Sequence, residues 1–163
     1  MLTVYCKGGV KKALGDIMYG MQIKTNNQNE TKSLGEKLGR ALSGGEVIEL
    51  IGDVGSGKTT FVKGLAVGLG IDEDVQSPSF TISRVYDARG GIILAHYDFY
   101  RLSDAGIMRD ELAESINASG IVTVIEWADI VEGVLPPARI TIRFEAASEE
   151  ARHLSISGAD GLL

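Results

Sequence analysis

Short runs of β-branched and other apolar residues predict the strands of this chain. The run Ile121-Val122-Thr123-Val124-Ile125 is apolar at nearly every position, which is typical of a parallel strand covered on both faces. Segments 82–86 and 92–99 flank a glycine-containing turn at 87–91 and predict an antiparallel hairpin. The full set of predicted strands is one that begins at Ile23, then residues 47–51, 82–86, 92–99, 121–125, 139–144 and 153–157, the last two paired with each other.

Apolar residues three or four positions apart predict helices between these strands. Phe61, Leu65 and Leu69 form one face of a helix over residues 60–69. Strands that alternate with helices predict a single α/β sandwich with a mixed sheet. The other predicted helices are one that begins after the polar run 26–29, carries Leu34, Leu38, Ala41 and Leu42 on one face and ends at 44–45, and a mixed, mostly helical segment at 102–117.

Composition narrows the class of protein. The chain has 163 residues, 44% of them hydrophobic, and a formal net charge of -6, which argues against gripping nucleic acid by bulk charge. A local basic patch remains open. No apolar run approaches the roughly 18 residues of a membrane span, so we expect no membrane association. The single cysteine, Cys6, excludes a disulfide framework and fits a cytoplasmic protein. The candidate residues for the local basic patch are Arg84, Arg89, Arg101 and Arg109.

The recognisable fold pattern begins after the first 21 residues. We predict an N-terminal extension at 1–21, one domain at 22–157 and a C-terminal tail at 158–163. The extension is expected to be disordered, or to lie upstream of a native start at Met18 or Met21. An additional helix or strand packed on the domain is the alternative.

The segment Gly52-Asp53-Val54-Gly55-Ser56-Gly57-Lys58-Thr59 matches G-x-x-x-x-G-K-[ST], the phosphate-binding P-loop. It lies between a predicted strand and a predicted helix, as that motif requires. Glycines let several backbone N–H groups point into one concavity, Lys58 faces the β- and γ-phosphates, and the Thr59 hydroxyl can ligate Mg²⁺. The motif predicts a bound nucleoside triphosphate with Mg²⁺. It also predicts the fold class of a P-loop NTPase, a three-layer sandwich with a mixed, mostly parallel central sheet flanked by helices.

Two acidic residues, Asp98 and Glu126, fall at the ends of predicted strands. Ligands of α/β sheets lie at the carboxyl ends of the strands, so either carboxylate can complete a Mg²⁺ shell or orient an attacking water. A purely structural hydrogen-bonding role for Asp98 and a capping role for Glu126 stay open. His96 favours a packed or hydrogen-bonded role, and Trp127 either lies against the nucleotide or packs as an ordinary aromatic residue.

Four motifs in one order resemble the TsaE (YjeE) family, small bacterial ATPases of tRNA threonylcarbamoyladenosine synthesis. They are Gly-Asp-x-Gly-x-Gly-Lys-Thr-Thr at 52–60, Ser-Pro-Ser-Phe at 77–80, His-x-Asp-x-Tyr-Arg at 96–101 and Glu-Trp at 126–127. The resemblance covers about residues 22–157. The family usually has threonine in place of Ser79, so a hydroxyl is kept; residues 1–20 are outside the family pattern.

The resemblance implies an ATPase that cycles on and off a complex of TsaD and TsaB proteins. That complex moves a threonylcarbamoyl group onto an adenosine of tRNA, with tRNA touching this chain indirectly or by limited contact. ATP and Mg²⁺ are the implied ligands, and hydrolysis is expected to be weak without the partners. The implied site residues are Asp98, Glu126 and Trp127 for catalysis, Asp53, Val54, Gly55, Ser56, Gly57, Lys58, Thr59 and Thr60 for the nucleotide, and Thr59 and Glu126 for the metal.

Three other functions share the same loop. A small-molecule or nucleoside kinase needs a lid with several arginines. The arginines after Trp127 fall in or beside alternating strand patterns, which favours solvent-facing positions. A GTPase is disfavoured because the guanine-reading Asn-Lys-x-Asp sequence is absent. A nucleotide-dependent binding module would use ATP to order the loop Ser77–Phe80, which otherwise is only a turn. The arginines after Trp127, considered above for a kinase lid, are Arg139, Arg143 and Arg152.

Overall fold

Residues 3–5 and 20–163 are described by a computed structural model of the chain. Its strands are β1 (Thr3–Tyr5), β2 (Met21–Thr25), β3 (Val47–Ile51), β4 (Ser83–Asp87), β5 (Ile93–Asp98), β6 (Ile121–Glu126), β7 (Ile140–Ala146) and β8 (Arg152–Ser157). Its helices are α1 (Gln28–Ala41), α2 (Lys58–Gly68) and α3 (Met108–Asn117), with short 3-10 segments at Arg89–Gly91 and Ala128–Val134. Each strand and helix predicted from the sequence pattern is present, but the segment predicted as mostly helical at 102–117 is an α-helix only from Met108 onwards.

All eight strands of the described residues form one sheet in the order β1-β2-β8-β7-β3-β6-β5-β4. The four central strands β7, β3, β6 and β5 are parallel, and every pair outside them is antiparallel. The predicted mixed sheet and the antiparallel β4–β5 hairpin are confirmed. Parallel pairing is confined to these four central strands, because antiparallel pairs extend the described sheet on both sides of its centre.

Apolar residues on the two faces of the sheet pack into two separate clusters. Val122 and Val124 of β6 point into the larger cluster, which α1 and α2 cover. Ile125 points the opposite way, into a cluster with Leu112 of α3 and Val131. Successive side chains of a strand alternate between faces, so a continuously apolar β6 is buried on both. The three-layer sandwich is therefore confirmed.

Helix α2 follows the glycine-rich loop and lies unusually close to α1. Glycines meet backbone across this contact: Gly35 and Gly39 of α1 face the Phe61 and Leu65 peptides, while Gly64 and Gly68 of α2 face Lys32 and Glu36. A Cβ atom at any of the four glycines would overlap the facing backbone. Close approach therefore requires glycine here, and α1 sets the position of α2.

Arg89, in the turn between β4 and β5, closes the carboxyl ends of both helices. Its guanidinium donates hydrogen bonds to the carbonyl oxygens of Gly39 and Gly68, and to those of Arg40 at 2.9 Å and Leu42 at 3.0 Å. The last carbonyls of a helix have no partner within it, so one side chain satisfies two helix ends. Arg89 is thus engaged within the fold rather than free for a basic patch.

The two ends of the described chain both contact the domain. β1 pairs with β2 in antiparallel register, with Val4 opposite Ile23. This matches the alternative of an additional strand; Cys6 and Met18 lie outside the described residues. At the other end Ala159 is buried, and Leu162 and Leu163 pack against the larger cluster. None of the helices in the described ranges is long and apolar enough to cross a membrane.

Candidate functional site

The glycine-rich loop, residues 52–57, connects β3 to α2 and needs glycine at particular points. Gly52, Gly55 and Gly57 have φ values of 155°, 78° and 104°, a region that side chains rarely adopt. At Gly52 a Cβ atom would also lie 2.8 Å from the Phe144 carbonyl oxygen. The loop can therefore curl tightly at the carboxyl end of β3.

Lys58, the first residue of α2, is folded back into this loop. Its side chain is only 5% exposed, and its Nζ donates to the carbonyl oxygens of Gly52 at 2.7 Å and Asp53 at 3.0 Å. Burial lowers the pKa of Lys58, and nearby carboxylates, Glu126 foremost, oppose that shift. An ammonium group thus sits at the amino terminus of a helix, and both carry positive potential.

Glu126, at the end of β6, provides the main counter-charge. Its Oε2 lies 3.9 Å from Lys58 Nζ, and its Oε1 lies 3.0 Å from His96 Nε2. β5 and β6 are neighbours with Asp98 opposite Glu126. Because Leu94 and Val124 point into the α1–α2 cluster, the alternation places His96, Asp98 and Glu126 on that same face, towards α2.

His96 is fully buried, and its hydrogen bonding decides its tautomer. Nδ1 is buried without a partner among the described residues. An ionised carboxylate only accepts hydrogen bonds, so the 3.0 Å contact with Glu126 Oε1 places an N–H on Nε2. We therefore assign the N–H to Nε2. This N–H donates a hydrogen bond to Oε1 of Glu126 inside the buried site.

Asp98 is engaged by the loop Ser77–Phe80. Its Oδ2 accepts hydrogen bonds from Ser77 Oγ at 2.8 Å and from Ser79 Oγ, and its Oδ1 accepts from the Tyr100 N–H at 3.0 Å. Phe80, at the end of the same loop, is 85% exposed. The carboxylate therefore ties this loop to the end of β5 beside Glu126.

Trp127 forms one wall of the site. It has a left-handed φ of 58°, which turns the chain directly after Glu126. Lys58 Nζ lies 4.9 Å from the centroid of its ring, within the range of a cation–π contact, and the Tyr100 ring lies 4.8 Å away on centroids. Trp127 therefore covers the Lys58 ammonium group, and Tyr100 packs against the Trp127 ring.

The structure brings together Lys58, Asp98, Glu126 and Trp127 and distributes the other predicted residues around the loop. Asp53, Val54 and Gly55 are exposed, Ser56 is buried, and Gly57, Thr59 and Thr60 are half-buried. In residues 20–163, no group of three His, Cys, Asp or Glu side chains is arranged to hold a metal by itself.

Arg152 is a residue of the site that sequence reasoning missed. The prediction of solvent-facing positions for the last arginines is wrong for Arg152, whose guanidinium donates to the Ser56 carbonyl oxygen at 2.9 Å, and for Arg139, which pairs with Glu49 at 2.7 Å. Only Arg143 of the three is exposed. No local signal marks Arg152, because its contact to Ser56 spans 96 positions of sequence.

A family model described as "Threonylcarbamoyl adenosine biosynthesis protein TsaE" matches residues 25–154. The chain belongs to the TsaE family. The matched region contains the glycine-rich loop, both acidic residues and Arg152, so the whole candidate site lies within it.

Individual relatives agree with the family assignment. A Bacillus subtilis protein is 37% identical over 142 residues, which cover 86% of this chain and 87% of the relative. A Treponema pallidum protein is 36% identical over 84% of this chain and 100% of its own length. Both are named tRNA threonylcarbamoyladenosine biosynthesis protein TsaE. The crystal structure of Bacillus subtilis YdiB superposes with a TM-score of 0.69 at 34% identity, covering 88% of each chain.

Proposed function

We propose that this chain binds ATP with Mg²⁺ at the glycine-rich loop and hydrolyses it to support repeated formation of threonylcarbamoyladenosine in tRNA. The partners in this proposal are TsaD- and TsaB-type proteins. The observation that carries it is the buried Lys58 ammonium, held at the amino terminus of α2 by two loop carbonyls and facing a buried Glu126.

The donor set of the loop fits a polyphosphate. Lys58 donates to neutral carbonyl oxygens, and exchanging them for charged phosphate oxygens gives shorter, stronger hydrogen bonds. The unpaired amides at the start of α2 point the same way as the helix dipole. Desolvation of Lys58 adds to the effect, because a buried ammonium gains more from a negative partner than an exposed one.

The two acids take different roles in this proposal. Glu126 contacts Lys58 and keeps one oxygen towards it, so it is the carboxylate that orients the attacking water or a metal-bound water. Both oxygens of Asp98 already accept hydrogen bonds, from Ser77, Ser79 and Tyr100, so this carboxylate holds the Ser77–Phe80 loop. Mg²⁺, held by Thr59 and the phosphates with Glu126 nearby, would neutralise charge on the transferred group.

The loop that Asp98 holds is also the proposed route to the partners. Ser77 and Ser79 lie on the site, while Phe80 projects into solvent with the Arg101 guanidinium 5.0 Å above its ring. A change at the γ-phosphate that disturbs Asp98 would therefore move an exposed apolar residue. This geometry supports a nucleotide-controlled docking surface, and the family description supplies the process in which it acts.

The test is a reconstituted tRNA-modification assay under multiple turnover, with TsaD- and TsaB-type proteins, threonine, bicarbonate and ATP. We expect sustained product with the wild-type chain and none beyond the first turnover with Lys58→Ala. Lys63→Ala is the matched control, since Lys63 lies on the same helix but is exposed and pairs with Asp74 at 3.3 Å. Equal product with and without the chain, while the partners are active, would refute the proposal; phosphate transfer to a small molecule would instead identify a kinase.

A further inference from the structure

Arg152 links two segments that are distant in sequence. It opens β8, and its guanidinium donates from Nε to the Ser56 carbonyl oxygen at 2.9 Å and from Nη2 to the Gly55 carbonyl oxygen at 3.3 Å. The third nitrogen of the guanidinium, Nη1, donates to carbonyl oxygens of the segment that directly precedes Arg152. The acceptors there are the carbonyl oxygens of Ser148 at 3.1 Å, Glu149 at 3.1 Å and Ala151 at 2.9 Å.

The two loop peptides that Arg152 contacts are the ones that glycine leaves free to rotate. Gly55 and Gly57 have φ values of 78° and 104° and pay no steric penalty for either sign of φ. Their neighbouring peptide planes therefore need an outside contact to select one orientation. The Gly55–Ser56 peptide is held from both ends, because the Ser56 N–H also donates to the Asp53 carbonyl oxygen at 3.1 Å.

The orientation selected by Arg152 is the one that an anion needs. In a trans peptide the C=O and the following N–H point in opposite directions. With the Ser56 carbonyl directed at Arg152, the Gly57 N–H is directed away from it, at the amino terminus of α2. Amides at that position have no partner within the helix and are the ones that cradle the β-phosphate.

We propose that Arg152 is a positioning residue that holds the glycine-rich loop in its phosphate-binding conformation before the nucleotide arrives. The inference rests on the proposed function, since it assigns Arg152 a part in nucleotide binding. Arg152 acts through the Gly57 amide and the β-phosphate, whereas Lys58 faces the β- and γ-phosphates. Its loss therefore weakens ATP and ADP binding by the same factor, and loss of Lys58 weakens ATP binding more than ADP binding.

The experiment compares wild type, Arg152→Ala, Arg152→Lys and the control Arg40→Ala. Arg40 is an arginine on the surface of α1 with a side chain that is 72% exposed. By calorimetry with Mg²⁺ we expect Arg152→Ala to raise the Kd of ATP and of ADP by about tenfold each, the effect of roughly one charge-assisted hydrogen bond. We expect KM to rise with kcat within twofold. Arg152→Lys keeps the charge but lacks the planar set of donors that reaches both carbonyls, so we expect it to fall between wild type and Arg152→Ala.

A second readout needs no nucleotide. The backbone amide resonance of Gly57 in the free protein should shift in Arg152→Ala and stay in place in Arg40→Ala. If Arg152→Ala melts too early to assay, Arg152→Lys carries the same tests.

Three results would count against the inference in different ways. If wild type binds ATP, and the Arg152 variants bind ATP and ADP as tightly as wild type does, the inference alone is refuted. Wild type that binds neither nucleotide would refute the proposed function, and the inference with it. An Arg152→Ala effect confined to ATP would also overturn it, because that pattern indicates direct contact with the γ-phosphate.

Discussion

The close contact between α1 and α2 makes a prediction in which two effects of one methyl group oppose each other. Gly64→Ala replaces a glycine inside α2, and helix propensity alone favours alanine by about 1 kcal/mol. The added Cβ would lie 2.8 Å from the Lys32 carbonyl carbon and closer still to its oxygen. Ordinary contact begins at about 3.4 Å, and backbone has no rotamer by which to move aside.

The packing effect should exceed the propensity effect. Forcing an additional carbon into a closed contact costs about 1–3 kcal/mol, and the cost rises when backbone must shift. Here α1 and α2 would have to separate along a contact that also includes Gly35, Gly39 and Gly68. Taking the upper part of that range and subtracting the propensity gain, we expect a net loss of about 2 kcal/mol in the free energy of unfolding.

Thermal and urea denaturation measure this loss. For a domain of this size 2 kcal/mol corresponds to a fall in Tm of about 4–8 °C. Gly120→Ala is the control, because a Cβ there meets no atom within 4 Å and its φ is not positive. A Gly64→Ala variant as stable as wild type, or more stable, would show that propensity dominates and that the helix contact is not tight.

Two further predictions concern side chains of the sheet. Glu126→Gln keeps an oxygen for the His96 N–H, so we expect ATP affinity by calorimetry to stay within about threefold of wild type. Phosphate release should slow by at least about a hundredfold, because the amide cannot act as a base. A comparable loss of affinity and of rate would contradict the role assigned to Glu126. Burial raises the pKa of Tyr97, so its neutral form contributes stability that is present below the unfolded pKa of about 10 and is lost as pH rises above it. Urea melts of wild type should therefore lose stability above about pH 10 more steeply than those of Tyr97→Phe, and parallel curves would argue against it.

Much of the fold could be predicted because its causes are local. The continuous apolar run at 121–125 predicts a strand buried on both faces, and β6 is one, since alternation and burial act on neighbouring residues. The glycine-rich loop was recognisable for the same reason: Gly52, Gly55 and Gly57 adopt backbone angles that other residues avoid. The edge strand β1 was predicted only as an alternative to a disordered extension, because a three-residue strand carries too few positions to show alternation.

The sequence by itself thus determined the order of strands and helices, the place of the loop and the family resemblance. Only the tertiary structure decided which groups meet: His96 with Glu126 across 30 positions, Ser77 with Asp98 across 21, and Arg152 with Ser56 across 96. Periodicity and backbone preference act over a few residues, whereas these contacts depend on which strands are neighbours and in what register. That is why Asp98 and Glu126, equivalent in sequence, are distinguished by partners that only the folded sheet brings to them.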